Sequence, residues 1–341
     1  FRKIDDLPLP LVGELIAAMT VQDFIALARA RPGQINIANS VGGGYDQYGR
    51  AIARYLSRHL PGQPNVVVKN MPGAGGARAA NFIASAAAPR DGSVLALLTR
   101  EIALAPLLAP KQASYQFKAQ ELNWIGSPLQ DVGLFVLNSN APAQSLEDMK
   151  TRTIIVAGTG PGSGPSTFPL VMNEVLGLKL KVVAGYPDSQ EALFAVEKGE
   201  ADGHISGGSS AAFRNRVNPL IGEKKLKIIL QLGMVKDAEY PDVPLIFELV
   251  KDQRARELLG LIFAPQYLGR PIVAPPGVPA TRVAELRAAF DAVLNDPEFI
   301  EDARRQRMDI NRVGGDELAR LIDKVYSLPP ELIAQAVALS Q

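Results

Sequence analysis

The sequence predicts an α/β protein built as two lobes. Three observations carry that expectation. Short apolar runs alternate with amphipathic or Ala-rich helical patterns, which is the βαβ signature of a parallel sheet. The chain has 341 residues, too many for one ordinary core and suited to two. A polar stretch, Asn138-Ser139-Asn140-Ala141-Pro142, interrupts the alternation and reads as a hinge, and a second βα series follows it.

The first series opens after a segment that is hard to read. Pro8 and Pro10 break any long helix in residues 1–20, leaving a short one over 11–19. Residues 21–30 pattern as an amphipathic helix with Phe24, Ile25, Leu27 and Ala28 apolar, ended by Pro32-Gly33. A strand is expected over 35–38. The loop Ser40-Val41-Gly42-Gly43-Gly44-Tyr45-Asp46 follows, with Asp46 placed as the N-cap of a helix in which Tyr48, Ile52, Tyr55 and Leu56 recur as far as about His59. The turn Pro61-Gly62-Gln63-Pro64 leads to a strand over 66–68. The loop Met71-Pro72-Gly73-Ala74-Gly75-Gly76 then precedes an Ala-rich helix over 77–87. After the turn Pro89-Arg90-Asp91-Gly92 comes a strand over 94–98 that ends at Thr99-Arg100-Glu101. A strand, glycine loop and helix in succession leave backbone N–H groups free at a helix N-terminus, an arrangement that suits an anion. Ordinary βα turns carry similar glycines, and for either loop alone both readings stand. In parallel sheets of this kind ligands sit beyond the carboxyl ends of the strands. Both glycine loops and Arg100 fall at those ends.

Strands are expected over 124–126 and 133–137. After the hinge come a short helix over 145–149 capped by Ser145 and a strand over 153–157. A third glycine-rich loop follows, Gly158-Thr159-Gly160-Pro161-Gly162-Ser163-Gly164-Pro165-Ser166-Thr167. Its helix covers 168–176 and the next strand 180–183. Gly185-Tyr186-Pro187-Asp188-Ser189 leads into a helix over 190–198. A strand over 202–205 runs into Ser206-Gly207-Gly208-Ser209-Ser210 and a further helix, and a strand covers 226–230. Residues 261–264 and 272–274 read as strands. The rigid turn Pro275-Pro276-Gly277-Val278-Pro279 precedes a helix capped by Thr281 that runs to about residue 294. Helices over 296–305, 316–327 and 330–339 complete the chain.

Composition excludes several classes of function. Lys+Arg 36 against Asp+Glu 35 leaves a net charge of +1, so there is no electrostatic case for nucleic acid or an anionic membrane surface. No apolar run approaches the roughly 20 residues of a membrane span. The absence of cysteine removes disulfides, thiolate catalysis and Cys–zinc sites. The first residue is Phe1, and Asp5, Asp6 and Glu14 interrupt any apolar signal core, so the expectation is that a leader lay upstream and was removed.

The remaining chemistry is tested motif by motif. No glycine loop ends in G-K-[ST], Gly42-Gly43-Gly44 is not G-x-G-x-x-G, and the third loop carries prolines that lack N–H donors. No serine lies in G-x-S-x-G. His59 reads as a surface residue offsetting a helix C-terminus. His204, in a strand just before a loop, reads either as a site residue or as a satisfied structural histidine. Two distant histidines leave no metal site, and no cofactor is expected. Asp46, Asp188 and Asp202 are each accounted for as caps or turn residues. What remains is a set of loops rich in Gly, Ser, Thr and backbone amides, a composition suited to binding an anion without transforming it.

These motifs in combination resemble the solute receptors of the tripartite tricarboxylate transporters, the Bug or TctC-like family. The residues that carry the resemblance begin with Gly42-Gly43-Gly44-Tyr45-Asp46 and Arg50. Val66-Val67-Val68-Lys69-Asn70-Met71-Pro72-Gly73-Ala74-Gly75-Gly76 and Pro89-Arg90-Asp91-Gly92 continue it. The loop from Gly158 to Ser166, the segment from Tyr186 to Ala192, Tyr240-Pro241-Asp242-Val243-Pro244 and Pro275-Pro276-Gly277-Val278-Pro279 complete it. It covers roughly residues 35 to 330. The family implies a periplasmic, type II-like binding protein with a ligand cleft between two α/β lobes, here 1–138 with 233–341 and 139–232. It implies a monomer that closes on a small mono- or dicarboxylate, partly through bridging waters, and delivers it to membrane permease subunits. Ligand contacts would come from Ser40, Gly42, Gly43, Gly44, Tyr45 and Asp46, and from Gly73, Ala74, Gly75 and Gly76. The other lobe would supply Gly160, Ser163, Ser166, Thr167, Ser189, Ser206 and Gly207.

This chain departs from the family pattern in places. Residues 1–34 have no counterpart, although 21–33 resembles the helix that usually precedes the second-lobe loop. Pro161 and Pro165 are unusual in that loop, and Phe168 or a neighbour replaces its usual histidine. Arg100 stands where small polar residues are common and reads either as a partner for a second carboxylate or as a surface residue pairing with Glu101. A receptor-like sensor is a further reading. The alternative from another class is a two-lobe enzyme, such as a transferase acting on a carboxylated small molecule. It would draw its acid or base from His204, Asp46 or Arg100.

Overall fold

The computed structural model describes residues 33–39, 43–71, 76–108, 115–160, 163–206 and 211–339. They fall into two compact units, one within Phe1–Gln130 and Leu268–Tyr326, the other within Asp131–Tyr267 and Ser327–Gln341. These divisions fall after residues 130, 267 and 326, whereas the sequence reading places them after 138 and 232 and keeps 233–341 together. The helices expected over 11–19 and 21–30 lie outside the described residues.

In the first unit, β1 (Gln34–Asn39) pairs in parallel with β2 (Asn65–Asn70) on one side and β3 (Val94–Leu97) on the other. This is the βαβαβ arrangement that the alternation predicts. The sheet is completed by β4 (Asn123–Ser127), β10 (Ile272–Ala274) and β11 (Val313–Gly314), in the order β11-β4-β10-β3-β1-β2. Strand β10 returns from far along the chain and inserts antiparallel between β3 and β4, with Ile272 opposite Leu97 and Val273 opposite Trp124. Its first residues thus lie at the carboxyl end of β3. Helix α1 (Gly43–Leu56) lays Tyr48, Ile52 and Leu56 on the sheet at helical spacing, each at most 4% exposed. They join Ile35, Ile37, Leu97, Phe290 and Phe299 in one core. Arg50 and Arg54 on its outer side, and Arg58 in the 3-10 turn that follows, pair with Asp46, Asp302 and Glu298. Such exposed pairs contribute little individually.

Asp46 is not the N-cap expected of it. The helix starts at Gly43, so Asp46 lies in the first turn. His59, expected as a dipole-compensating surface residue, places Nε2 3.0 Å from Asp296 Oδ2. Asp296 in turn caps the helix Pro297–Arg305 by accepting from Glu298 N.

In the second unit, β6 (Ile154–Ala157) runs parallel to β7 (Leu180–Val183) and β8 (Gly203–Ile205). Antiparallel β5 (Gly133–Asn138) and β9 (Leu226–Leu232) complete the order β7-β6-β8-β5-β9. The core gathers Leu134, Val136, Leu193, Val196, Phe213 and Val217. The helix Pro330–Leu339 belongs here, where Gln335 donates to Glu174 of the helix Gly164–Leu176. The strand expected over 261–264 is instead the middle of the helix Gln253–Leu268. A continuous apolar run has no period to separate strand from buried helix. Leu258, Leu259, Leu261, Phe263 and Ala264 are all buried, as expected of a helix packed on several sides.

His204 sits in β8 with no solvent exposure. Its Nδ1 lies 2.8 Å from the Ala157 carbonyl, which only accepts, so Nδ1 carries the proton and Nε2 is left as a bare acceptor with no partner. Burial pushes the imidazole down to about 4, against the weaker opposing effect of the carbonyl. The unfolded chain takes up this proton near pH 6.5, and the folded chain only near 4. Folding stability is therefore complete above about pH 6.5 and falls by up to about 3 kcal/mol as the pH drops through that window. Urea titrations between pH 7 and 4 should show this slope, and His204→Gln, which keeps a donor for the Ala157 carbonyl, should flatten it. A second expectation concerns Gly269, at φ +58, where an added Cβ would overlap the Leu129 carbonyl. Gly269→Ala should cost about 2–4 kcal/mol. Gly62→Ala, at φ +75 but in open space, should cost only the backbone strain of about 1 kcal/mol. Urea midpoints at constant slope would check both.

Candidate ligand-binding site

In the first unit the carboxyl ends of β1, β2 and β3 lie along one edge, and α1 starts directly above it. The first turn of a helix presents N–H groups without intrahelical acceptors and the positive end of its dipole. The helix Ala77–Ala84 also begins at this edge, with Gly76 at φ 100 in the N-cap position and no side chain capping its amides. Gly43 and Gly44 open α1 itself. Ser40, Gly42, Gly73, Ala74 and Gly75 lie outside the described residues.

Three sequence-selected residues meet around the start of α1. The Tyr45 hydroxyl accepts from Arg100 N at 3.1 Å and donates to the Gly269 carbonyl at 3.4 Å. Burial first, and the Glu101 carboxylate second, raise the Tyr45 hydroxyl above its ordinary value, so it stays protonated and able to donate. Asp46 has both oxygens engaged: Oδ1 accepts from Asn39 Nδ2 at 3.2 Å and Oδ2 from Arg50 Nε at 2.8 Å. Its carboxylate ties the helix start to the end of β1. Arg100 donates from Nε to Glu101 at 2.9 Å.

Two residues that sequence reasoning passed over belong to the same edge. Asn39 ends β1 fully buried, and its Oδ1 has no partner. Arg270 stands two residues before β10, and so beyond the carboxyl end of β3. Its guanidinium lies 4.5 Å from the Tyr48 ring centre and 5.2 Å from that of Tyr45. The only advance signal was a lone cation between Gly269 and Pro271 in an otherwise apolar stretch. Which end of which sheet that cation would reach depends on how β10 pairs.

In the second unit the carboxyl ends of β6, β7 and β8 form a corresponding edge. Here most hydroxyls hold the loop itself. Thr159 and Ser163 hydroxyls lie 2.7 Å apart, Ser163 Oγ donates to the Gly160 carbonyl, and Ser166 Oγ donates to the Thr159 carbonyl. Gly158 leaves room for Ser166, since a Cβ there would come within 2.8 Å of its Oγ. Thr167 is buried in the helix's first turn, and Pro165 and Pro169 lie in the same helix. Pro165 falls at its start, where a missing N–H costs nothing. Ser206 is buried and its Oγ accepts from Leu134 N, a structural link to β5. Ser189 opens the helix Ser189–Lys198, which Asp188 caps by accepting from Gln190 N and Glu191 N. Among the described residues no hydroxyl donates to His204 Nε2, and none forms a nucleophile–base pair with it. Gly207 lies outside the described residues. Among the described residues no cluster of three or more His, Asp or Glu offers a metal site.

Comparison with known proteins places these edges in context. The sequence model described as "Tripartite tricarboxylate transporter family receptor" (TctC) matches residues 48–336. A UPF0065 protein from the gbd 5′ region of Cupriavidus necator is 26% identical over 313 residues, covering 86% of this chain and 84% of that protein. The crystal structure of a TctC solute-binding protein from Polaromonas superposes with a TM-score of 0.69 at 20% identity, covering 90% of this chain and 97% of that one. MatC from Rhodopseudomonas palustris, solved with bound malate, superposes at 0.52 and 21% identity, covering 90% and 99%. At these identities the structural likeness establishes the fold, a two-sheet α/β architecture shared with periplasmic solute-binding proteins. The sequence match, extending over most of the 341 residues, establishes that this chain belongs to the tripartite tricarboxylate transporter receptor (TctC) family.

Proposed function

We propose that this chain is a periplasmic receptor that captures a small organic carboxylate, mono- or dicarboxylate, and hands it to the membrane permease subunits of a tripartite tricarboxylate-type transporter. The observation that carries the reading is the carboxyl edge of β1–β3, where α1 begins with glycines and its first turn is fixed by Tyr45 and Asp46. That edge offers amides and positive charge to an oxyanion. The second unit contributes Gly160, Ser163 and the half-buried Ser189. Capture proceeds by closure of the two lobes, with bridging waters completing the hydrogen bonds. The bound acid leaves unchanged, since binding through amides supplies no acid, base or nucleophile to transform it.

Two outcomes test this. A thermal-shift screen against aliphatic and aromatic carboxylates should raise the melting temperature with one class of acid by mass action, and that acid should be recovered intact after long incubation. Turnover of the acid would instead assign an enzyme. Asp46→Ala should lower stability by about 1–2 kcal/mol, because it removes a charge-assisted tie between α1 and β1, and should weaken binding of the same acid severalfold. Calorimetric titration showing unchanged affinity would remove the α1 start from the site.

A further inference from the structure

Arg270 is a cation at the first unit's edge that has no carboxylate partner among the described residues. Arg50 and Arg100, its neighbours in function, have carboxylate partners in Asp46 and Glu101. No carboxylate among the described residues pairs with Arg270. Its Nε is shut off from solvent and meets no acceptor. The faces of Tyr45 and Tyr48 attract its charge, yet a ring face does not satisfy the in-plane N–H fork of a guanidinium. Leaving a charged donor without a hydrogen bond in a partly desolvated place is unfavourable, so it is met at functional sites more often than elsewhere.

The position is also fixed in advance. Arg270 N donates to Ser127 Oγ at 2.9 Å, and Ser127 Oγ donates to the Leu129 carbonyl. Gly269 takes the left-handed backbone just before it, and the Pro271 carbonyl accepts from Leu98 N just after it. Tyr48, beneath the guanidinium, is held by its own hydroxyl bond to the Asp309 carbonyl at 2.7 Å. The side chain is therefore carried on a rigid segment against the first turn of α1, beside the amides that suit one oxyanion.

We propose that Arg270 is a specificity-determining residue that receives a second carboxylate of the ligand, making this receptor selective for dicarboxylates over monocarboxylates; this rests on the carboxylate-receptor reading above. The start of α1 carries about half a positive charge, enough to favour one carboxylate. The guanidinium adds a full unit of charge, with a fork that matches a carboxylate bidentately. An acid with two carboxylates satisfies both, and one with a single carboxylate leaves one of them unmet.

The test is calorimetric titration of the unaltered protein and of Arg270→Met with succinate and adipate, and with butyrate and hexanoate as their single-carboxylate counterparts. Methionine keeps the packing on Tyr45 and Tyr48 and removes the charge. The expected result is a loss on the order of 10- to 100-fold for the dicarboxylates in the variant, with monocarboxylate binding unchanged. Arg270→Lys, which keeps charge without the fork, should fall between. Equal binding of dicarboxylates by parent and Arg270→Met overturns the inference and leaves the receptor reading standing, as does an equal loss for both kinds of acid. A parent that binds none of the four overturns the reading for these acids and the inference with it. Should Arg270→Met fail to fold, the arginine Nε–H resonance that is missing from Arg270→Lys is followed in the unaltered protein. It should move on adding succinate and stay still with butyrate, and no movement with succinate overturns the inference.

Discussion

The insertion of β10 between β3 and β4 is the constraint on which the first unit depends. Three parallel strands joined by helices form the start of the sheet from local sequence, but an edge at β3 would be left with unpaired N–H and C=O groups. β10 pairs that edge from a segment far along the chain, and β4 and β11 extend it. Because β10 runs antiparallel to β3, the residues preceding it reach the carboxyl edge of the parallel strands. The same hydrogen bonds that close the sheet bring Gly269 and Arg270 to the start of α1.

Around that start the polar groups divide into two sets. One set holds geometry: Asp46 to Asn39 and Arg50, the Tyr45 hydroxyl to Arg100 N and the Gly269 carbonyl. In the second unit the Thr159, Ser163, Ser166 and Ser206 hydroxyls do likewise. Residues that look like ligand contacts in a list of loop serines therefore serve first to shape the loops. The other set has no partner among the described residues: Asn39 Oδ1, Arg270 Nε and, deeper in the second unit, His204 Nε2. Buried polar groups are ordinarily paired, and Arg270 is the member of this second set on which the inference above rests.

The element pattern was legible in advance wherever local chemistry decides it. Strand, glycine loop and helix succeed one another at β1, β2, β6 and β8, and Asp188 and Asp296 cap helices as their positions suggest. Legibility failed in two ways. Residues 261–264 pattern as a strand but lie in a helix, because an apolar run carries no period when all its sides are buried. Asp46 has the sequence position of a cap but lies in the first turn, because the helix begins within the glycines before it.

By itself the amino-acid sequence determined the α/β class, the two series of strands and helices, and the glycine loops at parallel-strand ends. Each of these follows from residues close together in the chain: side-chain period, turn chemistry and the conformational range of glycine. Only the tertiary structure decided what stands beside the start of α1. Arg270 lies more than two hundred residues from Tyr45 in sequence, and nothing local to it specifies a neighbour. Its place is set by the register of β10 against β3 and by the packing of α1 on the sheet, both of which come from burying apolar surface along the whole chain. The glycine-loop motifs were therefore written in the sequence, while the charge of Arg270 was placed against α1 by the fold.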